Sequence, residues 1–183
     1  MNFMLNEEQR AIEDGIAQVM SDFGDDYWLE KDKNGGFPEE FYRAMADGGW
    51  LGVSFPEEVG GADLGIASAA VMMRAIASTS GGMQAASAIH MNVFGPKAVA
   101  LFGTAEQKQR WLPPIIKRED IACFAVTEPN TGLDTTRLKT RAVDQGDHYL
   151  VKGEKIWTST ALQSNKMLLI ARTKDISETK KPI

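Results

Sequence analysis

The chain has 183 residues, 43% hydrophobic and 25% charged, with a net charge of -5, which suits one ordinary domain or two small ones. The acidic balance gives no footing for a nucleic-acid partner, the single cysteine, Cys123, excludes an internal disulfide, and no apolar run approaches the roughly 20 residues of a membrane-spanning helix. The first residues carry Glu7 and Glu8 and no basic stretch, unlike a signal peptide, so an intracellular compartment is the expectation.

Asn6 followed by Gln9 has the spacing of a capping box, and Glu7 and Glu8 lie in the first turn, where the helix dipole favours acids. Ile12, Ile16, Val19, Met20 and Phe23 recur at spacings of three and four, which predicts one amphipathic helix ended near Gly24. A second, shorter helix starts at Pro38 with Glu39 and Glu40 behind it, buries Phe41 and Met45, and stops at Gly48-Gly49. Trp50, Leu51, Val53 and Phe55 form an apolar patch before Pro56, and Gly60-Gly61 makes a flexible turn. That turn lacks both the spacing of a dinucleotide fingerprint and the Gly-Lys-Ser/Thr ending of a phosphate loop.

From Leu64 to Ile76 the only charge is Arg74 and the chain is dense in Ala and Met, which predicts a helix buried on most of its circumference. A similar helix runs from about Met83 to Asn92. Met72, Met73, Met83 and Met91 either fill a core or line a pocket for a flexible acyl chain, since thioethers adapt to both. His90 has no Asp, Cys or second ligand nearby in sequence and reads as a hydrogen-bonded helical histidine rather than a metal ligand. A helix from about Pro96 to Phe102 follows, then one capped by Thr104 and ended at Pro113-Pro114.

The chain changes character at residues 121–126, a strand-like run holding Cys123 as an inert buried thiol and stopped by Thr127-Glu128-Pro129. Pro129 cannot donate to a sheet ladder and biases Glu128 toward an extended conformation, so the strand ends and the chain swings over its end. The loop through Gly132 offers free backbone N–H groups beside the Thr127 hydroxyl, which suits the polar edge of a planar heterocycle or a phosphate. Glu128 itself reads as packing or hydrogen bonding within the turn. Beyond it, Leu138, Thr140 and Ala142 alternate with charged residues, Gln145-Gly146-Asp147 makes a turn, and Tyr149 and Val151 resume the alternation. Residues 167–171 read as an apolar strand buried on both sides. The chain is therefore read as helical up to about Arg118 and antiparallel β after it.

Phe124-Ala-Val-Thr-Glu-Pro-Asn-Thr-Gly-Leu-Asp134, Lys139-Thr-Arg-Ala142, Tyr149-Leu-Val-Lys-Gly-Glu-Lys-Ile-Trp157 and Ala171-Arg-Thr173 together resemble the middle-domain signature of the acyl-CoA dehydrogenase family. Gly49-Trp-Leu-Gly-Val-Ser-Phe-Pro-Glu-Glu-Val-Gly-Gly61 and Thr104-Ala-Glu-Gln-Lys-Gln-Arg-Trp-Leu-Pro113 resemble the family's helical-domain landmarks, in the same order. The resemblance implies a multi-domain α and β protein, with an all-α N-terminal domain over residues 1–118 followed by an incomplete antiparallel β-barrel over 119–183. It also implies an FAD enzyme that oxidises an acyl-CoA thioester to the trans-2-enoyl form and hands its electrons to an electron-transfer flavoprotein. A homo-oligomer, in the cytoplasm or the mitochondrial matrix, goes with it.

By family pattern, Phe124, Val126 and Thr127 flank the flavin rings, and Gly132 lets the backbone approach the ligands. Leu133 stands where the family usually has a serine associated with cofactor phosphate and substrate. Trp157, Thr158 and Ser159 correspond to the segment packed beside the isoalloxazine. Without the family pattern, Trp157 reads as an aromatic filling a barrel core and Thr127 as a strand-ending hydroxyl bonded to local backbone. The family's catalytic glutamate is expected beyond Ile183. The alternatives are a flavin-dependent relative with other chemistry (acyl-CoA oxidase, nitroalkane oxidase or hydroxylase) and a non-catalytic, truncated assembly partner.

Overall fold

Helix α1, Glu7–Met20, begins at the capping box read from the sequence: Asn6 Oδ1 accepts from Gln9 N at 2.8 Å while Gln9 Oε1 accepts from Asn6 N at 3.1 Å. The structure, a computed structural model, describes residues 4–174 and divides the chain into two units, one through Ile121 and one from Ala122 onward.

In the first unit, Ile12, Ile16 and Met20 of α1 are buried, as the spacing of three and four requires. A helix with no counterpart in the sequence reading follows, α2, Asp25–Asn34. It buries Trp28 alone, so no apolar stripe announces it. The tertiary fold supplies what periodicity lacks: the Trp28 indole N–H donates to Phe23 O at 2.8 Å, and its ring stands edge-on to Phe41 at 5.2 Å. Asp25 and Asp26 at one end, with Lys31 and Lys33 at the other, complement the helix dipole and are the one local signal for it.

Helix α3, Glu39–Asp47, buries Phe41, Tyr42 and Met45. A short helical turn, Trp50–Gly52, then carries Leu51 inward. The Gly60-Gly61 turn is stitched down rather than flexible, because Ala62, Asp63 and Leu64 donate back to Gly52, Phe55 and Val53. A Cβ on Gly61 would lie 2.0 Å from the Phe55 carbonyl oxygen, which only glycine permits.

Helix α4, Gly65–Ala77, packs against α1 and α5, Gly82–Phe94. Contrary to the expectation of nearly all-round burial, α4 buries one face, Ser68, Ala69, Met72 and Ile76, and leaves Ile66 57% exposed. Alanine carries a single methyl group, so a helix rich in it leaves its outer face in water at little cost. Met72 fills the core and Met73 packs against it, whereas Met83 is 75% exposed, so the methionines do not share one surrounding.

Helices α6, Lys97–Phe102, and α7, Ala105–Ile116, enclose a second apolar cluster with Phe55 and Val59. Thr104 and Gln107 form the capping box of α7. The helix runs through Pro113 and Pro114 instead of ending there. The two absent N–H groups would have bonded the carbonyls of Gln109 and Arg110, both exposed and open to water, while Leu112, Ile115 and Ile116 are buried. Burial of that face outweighs the two missing bonds.

The second unit holds β1, Ala122–Ala125, β2, Arg141–Asp144, β3, Tyr149–Lys152, and β4, Lys166–Leu169. β2 and β3 form the antiparallel hairpin expected around Gly146, whose φ is 96°. β4, read as antiparallel and buried on both sides, instead pairs parallel with β1 and leaves Met167 54% exposed. The long connection between them permits the crossover that parallel pairing needs. Among the described residues there is no closed barrel, only these two two-stranded sheets and two isolated bridges, Glu128 with Thr131 and Arg141 with Arg172. The polar segment after residue 174 lies outside the described residues.

Candidate functional site

β1 delivers Phe124 half-buried, Ala125 buried, and then Val126 and Thr127 half-buried at its end. The next residue, Glu128, is only 5% exposed. Its Oε2 accepts from Lys139 N at 2.6 Å, and its Oε1 accepts from Thr140 N at 2.7 Å and from Lys155 Nζ at 3.0 Å. Burial pushes this carboxyl up, but hydrogen bonding from Thr140 and the Lys139 amide, with Lys155 beside them, outweighs it and holds the pKa at about 2. Glu128 thus has the hydrogen-bonding role read from the sequence and is poorly suited to take a proton.

Lys155 joins two stretches far apart in the chain. Its ammonium also donates to the Val126 carbonyl at 2.8 Å, and the neighbouring Ile156 N–H donates to the Thr127 carbonyl at 2.9 Å. Val126-Thr127 is thereby zipped to residues 155–156, and Trp157 follows at once. Trp157 does not fill a barrel core: it is 86% exposed, and its φ of 57° lies in the left-handed region that a tryptophan seldom occupies. Thr158 is half-buried, Ser159 is exposed, and the Ser159 carbonyl accepts from the Thr160 hydroxyl at 2.7 Å. The hydroxyls of Thr127, Thr158 and Ser159 have no hydrogen-bond partner among the described residues, so Thr127 does not satisfy local backbone with its side chain.

Gly132 and Leu133 stand on the loop beyond, which Glu128 and Thr131 close through reciprocal 3.0 Å backbone bonds. Leu133 is fully exposed. A Cβ on Gly132 would meet nothing within 4 Å, so the loop backbone is open to an approaching group there. Beside it is a cavity of about 420 Å³ lined by Asn130, Thr131, Gly132, Asp134, Arg137 and Lys139. Of the residues singled out from sequence, Val126 and Thr127 are joined to the segment that leads into Trp157, whereas Gly132 lines this separate hollow and Leu133 stands in open solvent. Sequence reasoning missed Lys155, which nothing in the sequence sets apart from the neighbouring Lys152.

His90 Nδ1 donates to the Ser87 carbonyl at 2.9 Å, the helical bond expected of it. Cys123 is buried, its thiol directed at the Lys166 carbonyl. Among the described residues no group of three or more His, Cys, Asp or Glu could hold a metal ion, and no helix is long and apolar enough to cross a membrane.

A helical unit followed by a small β unit, with an exposed aromatic and free hydroxyls at a strand end, defines a two-unit protein with its candidate ligand surface on the β unit. The chain belongs to the acyl-CoA dehydrogenase family: the family model for the acyl-CoA dehydrogenase N-terminal domain matches residues 6–119, and that for the middle domain matches residues 123–182. Acyl-CoA dehydrogenase FadE12 of Mycobacterium tuberculosis is 30% identical over 178 residues, covering 95% of this chain and 44% of the relative. Among solved structures, one described as an electron transferring flavoprotein of Acidaminococcus fermentans is 30% identical with a TM-score of 0.86, covering 97% of this chain and 46% of that one. A glutaryl-coenzyme A dehydrogenase with glutaryl-CoA is 27% identical with a TM-score of 0.85, covering 97% and 45%. The chain spans less than half the length of these relatives.

Proposed function

We propose that this chain supplies the helical domain, residues 1–118, and the cofactor-facing start of the β domain, residues 119–183, of an FAD-dependent acyl-CoA dehydrogenase. The observation that carries the reading is the zipped pair of segments presenting an 86% exposed Trp157 beside Thr127. An indole left open to water, flanked by three unpartnered hydroxyls, fits the flat, hydrogen-bonding edge of a flavin better than it fits a folding role. Phe124, Val126 and Thr127 offer one side of that envelope, and Trp157, Thr158 and Ser159 the other. Gly132 and Leu133 offer backbone N–H groups to a phosphate or to the substrate. The glutaryl-CoA complex of one relative and the flavoprotein assignment of another support acyl-CoA as substrate and an electron-transferring flavoprotein as acceptor.

Bound there, a flavin would supply hydride acceptance from the carbon β to the thioester carbonyl. Phe124, Val126, Thr127 and Trp157 would hold and orient its rings, and Thr127 and Ser159 would donate hydrogen bonds to it. Abstraction of the α-proton needs a free carboxylate on the opposite face of the substrate. Glu128, committed to two amides and an ammonium, is not that group.

The test is FAD titration of the purified 183-residue chain, followed by assay with acyl-CoA thioesters of several lengths and an artificial acceptor. FAD binding without turnover is expected. Turnover within tenfold of an ordinary enzyme's roughly 10 s⁻¹ would place a base inside this chain, and absence of FAD binding by every form of the protein would reject the flavin reading.

A further inference from the structure

We propose that Glu128 and Lys155 form a positioning clamp, which fixes Thr127 and Trp157 in the relation that a flat ligand requires and acts through those residues. The inference rests on the flavin reading of Trp157 and Thr127 and adds two residues to it.

The clamp is a closed circuit of bonds. Lys155 Nζ reaches Val126 O at 2.8 Å and Glu128 Oε1 at 3.0 Å, while Ile156 N reaches Thr127 O at 2.9 Å. Removing the Lys155 ammonium takes away two of these three bonds and leaves Ile156 N to Thr127 O to hold residues 155–157 to the end of β1. Glu128 is buried and Lys155 nearly so, with side-chain exposures of 5% and 9%, so each would strand the other's charge if deleted. A carboxylate is the group this node needs, because three donors converge on it and it accepts at several positions while donating nothing. Glutamine would bring N–H groups of its own to face an amide or the ammonium. The circuit also explains how Trp157 is kept at a φ of 57°, since such a conformation persists only where its surroundings over-determine it.

The test uses the full-length protein stripped of flavin, the variants Lys155→Met, Lys155→Arg and Trp157→Phe, and FAD as the probe. Methionine keeps the apolar stem and loses the charge; arginine can still bridge a carbonyl and a carboxylate. Lys155→Met is expected to raise the Kd for FAD at least tenfold and to shift the bound-flavin absorbance, while Lys155→Arg stays within threefold and the helical melt is unchanged in both. Parent-like affinity and spectrum in Lys155→Met overturn the clamp. Equal losses in the Met and Arg variants overturn it too, since the charge bridge would then not be what matters. If the parent does not bind FAD, the flavin reading has failed separately. The clamp is then judged by the near-UV circular dichroism of Trp157, identified by its absence in Trp157→Phe: loss in Lys155→Met with retention in Lys155→Arg supports it, and persistence in Lys155→Met overturns it.

Discussion

Trp157→Ala separates a residue kept for a ligand from one kept for folding. The indole is 86% exposed, so its removal takes almost nothing from the core, and the apoprotein's stability should change by no more than about 0.5 kcal/mol. A tryptophan side chain carries on the order of 200 Å² of surface. Covering one ring face with a planar cofactor would take roughly 100 Å² of that out of water, worth about 2.5 kcal/mol at about 25 cal/mol per Å². The Kd for FAD should therefore rise roughly 60-fold. Calorimetric titration of apoprotein with FAD measures this, alongside thermal melts followed by helical circular dichroism. An affinity within threefold of the parent would refute the assignment of Trp157 to the cofactor. A mutant that melted many degrees earlier would refute the premise that its side chain serves the fold little.

Leu133 faces open solvent where the family pattern has serine, so Leu133→Ser should add a hydrogen-bond donor at the loop, on the order of 1 kcal/mol, and tighten FAD or acyl-CoA binding several-fold; weaker binding of both would remove Leu133 from the site. Glu128 is held at about 2 against an ordinary value of 4.5. Its contribution is thus complete above the ordinary value and is lost as pH falls from about 4.5 toward 2, on the order of 3 kcal/mol in all. The stability gap between parent and Glu128→Gln, measured by denaturant titration across that range, should close as the pH drops; a gap that stays constant would sink the account.

What the sequence determined lies within reach of a few residues along the chain. Asn6 with Gln9 forms its capping box and Thr104 caps its helix as read, because a cap involves only residues three apart. The chain leaves the sheet before Pro129, as read, although β1 already ends at Ala125, and the hairpin turns at Gly146, where the backbone has a positive φ. The acceptor role of Glu128 was legible from its place in the turn, though its partners were not. Tertiary structure decided the rest. Helix α2 exists because Trp28 found Phe23 and Phe41, and α7 crosses its prolines because Leu112, Ile115 and Ile116 are buried beyond their local context. The parallel pairing of β4 with β1 could not be read, since side chains alternate identically in parallel and antiparallel strands. Lys155 carries no mark in the sequence that distinguishes it from other lysines. Only the fold brings its ammonium to Val126 and Glu128, and it is that long-range burial of charge which turns a surface residue type into a fixed part of the site.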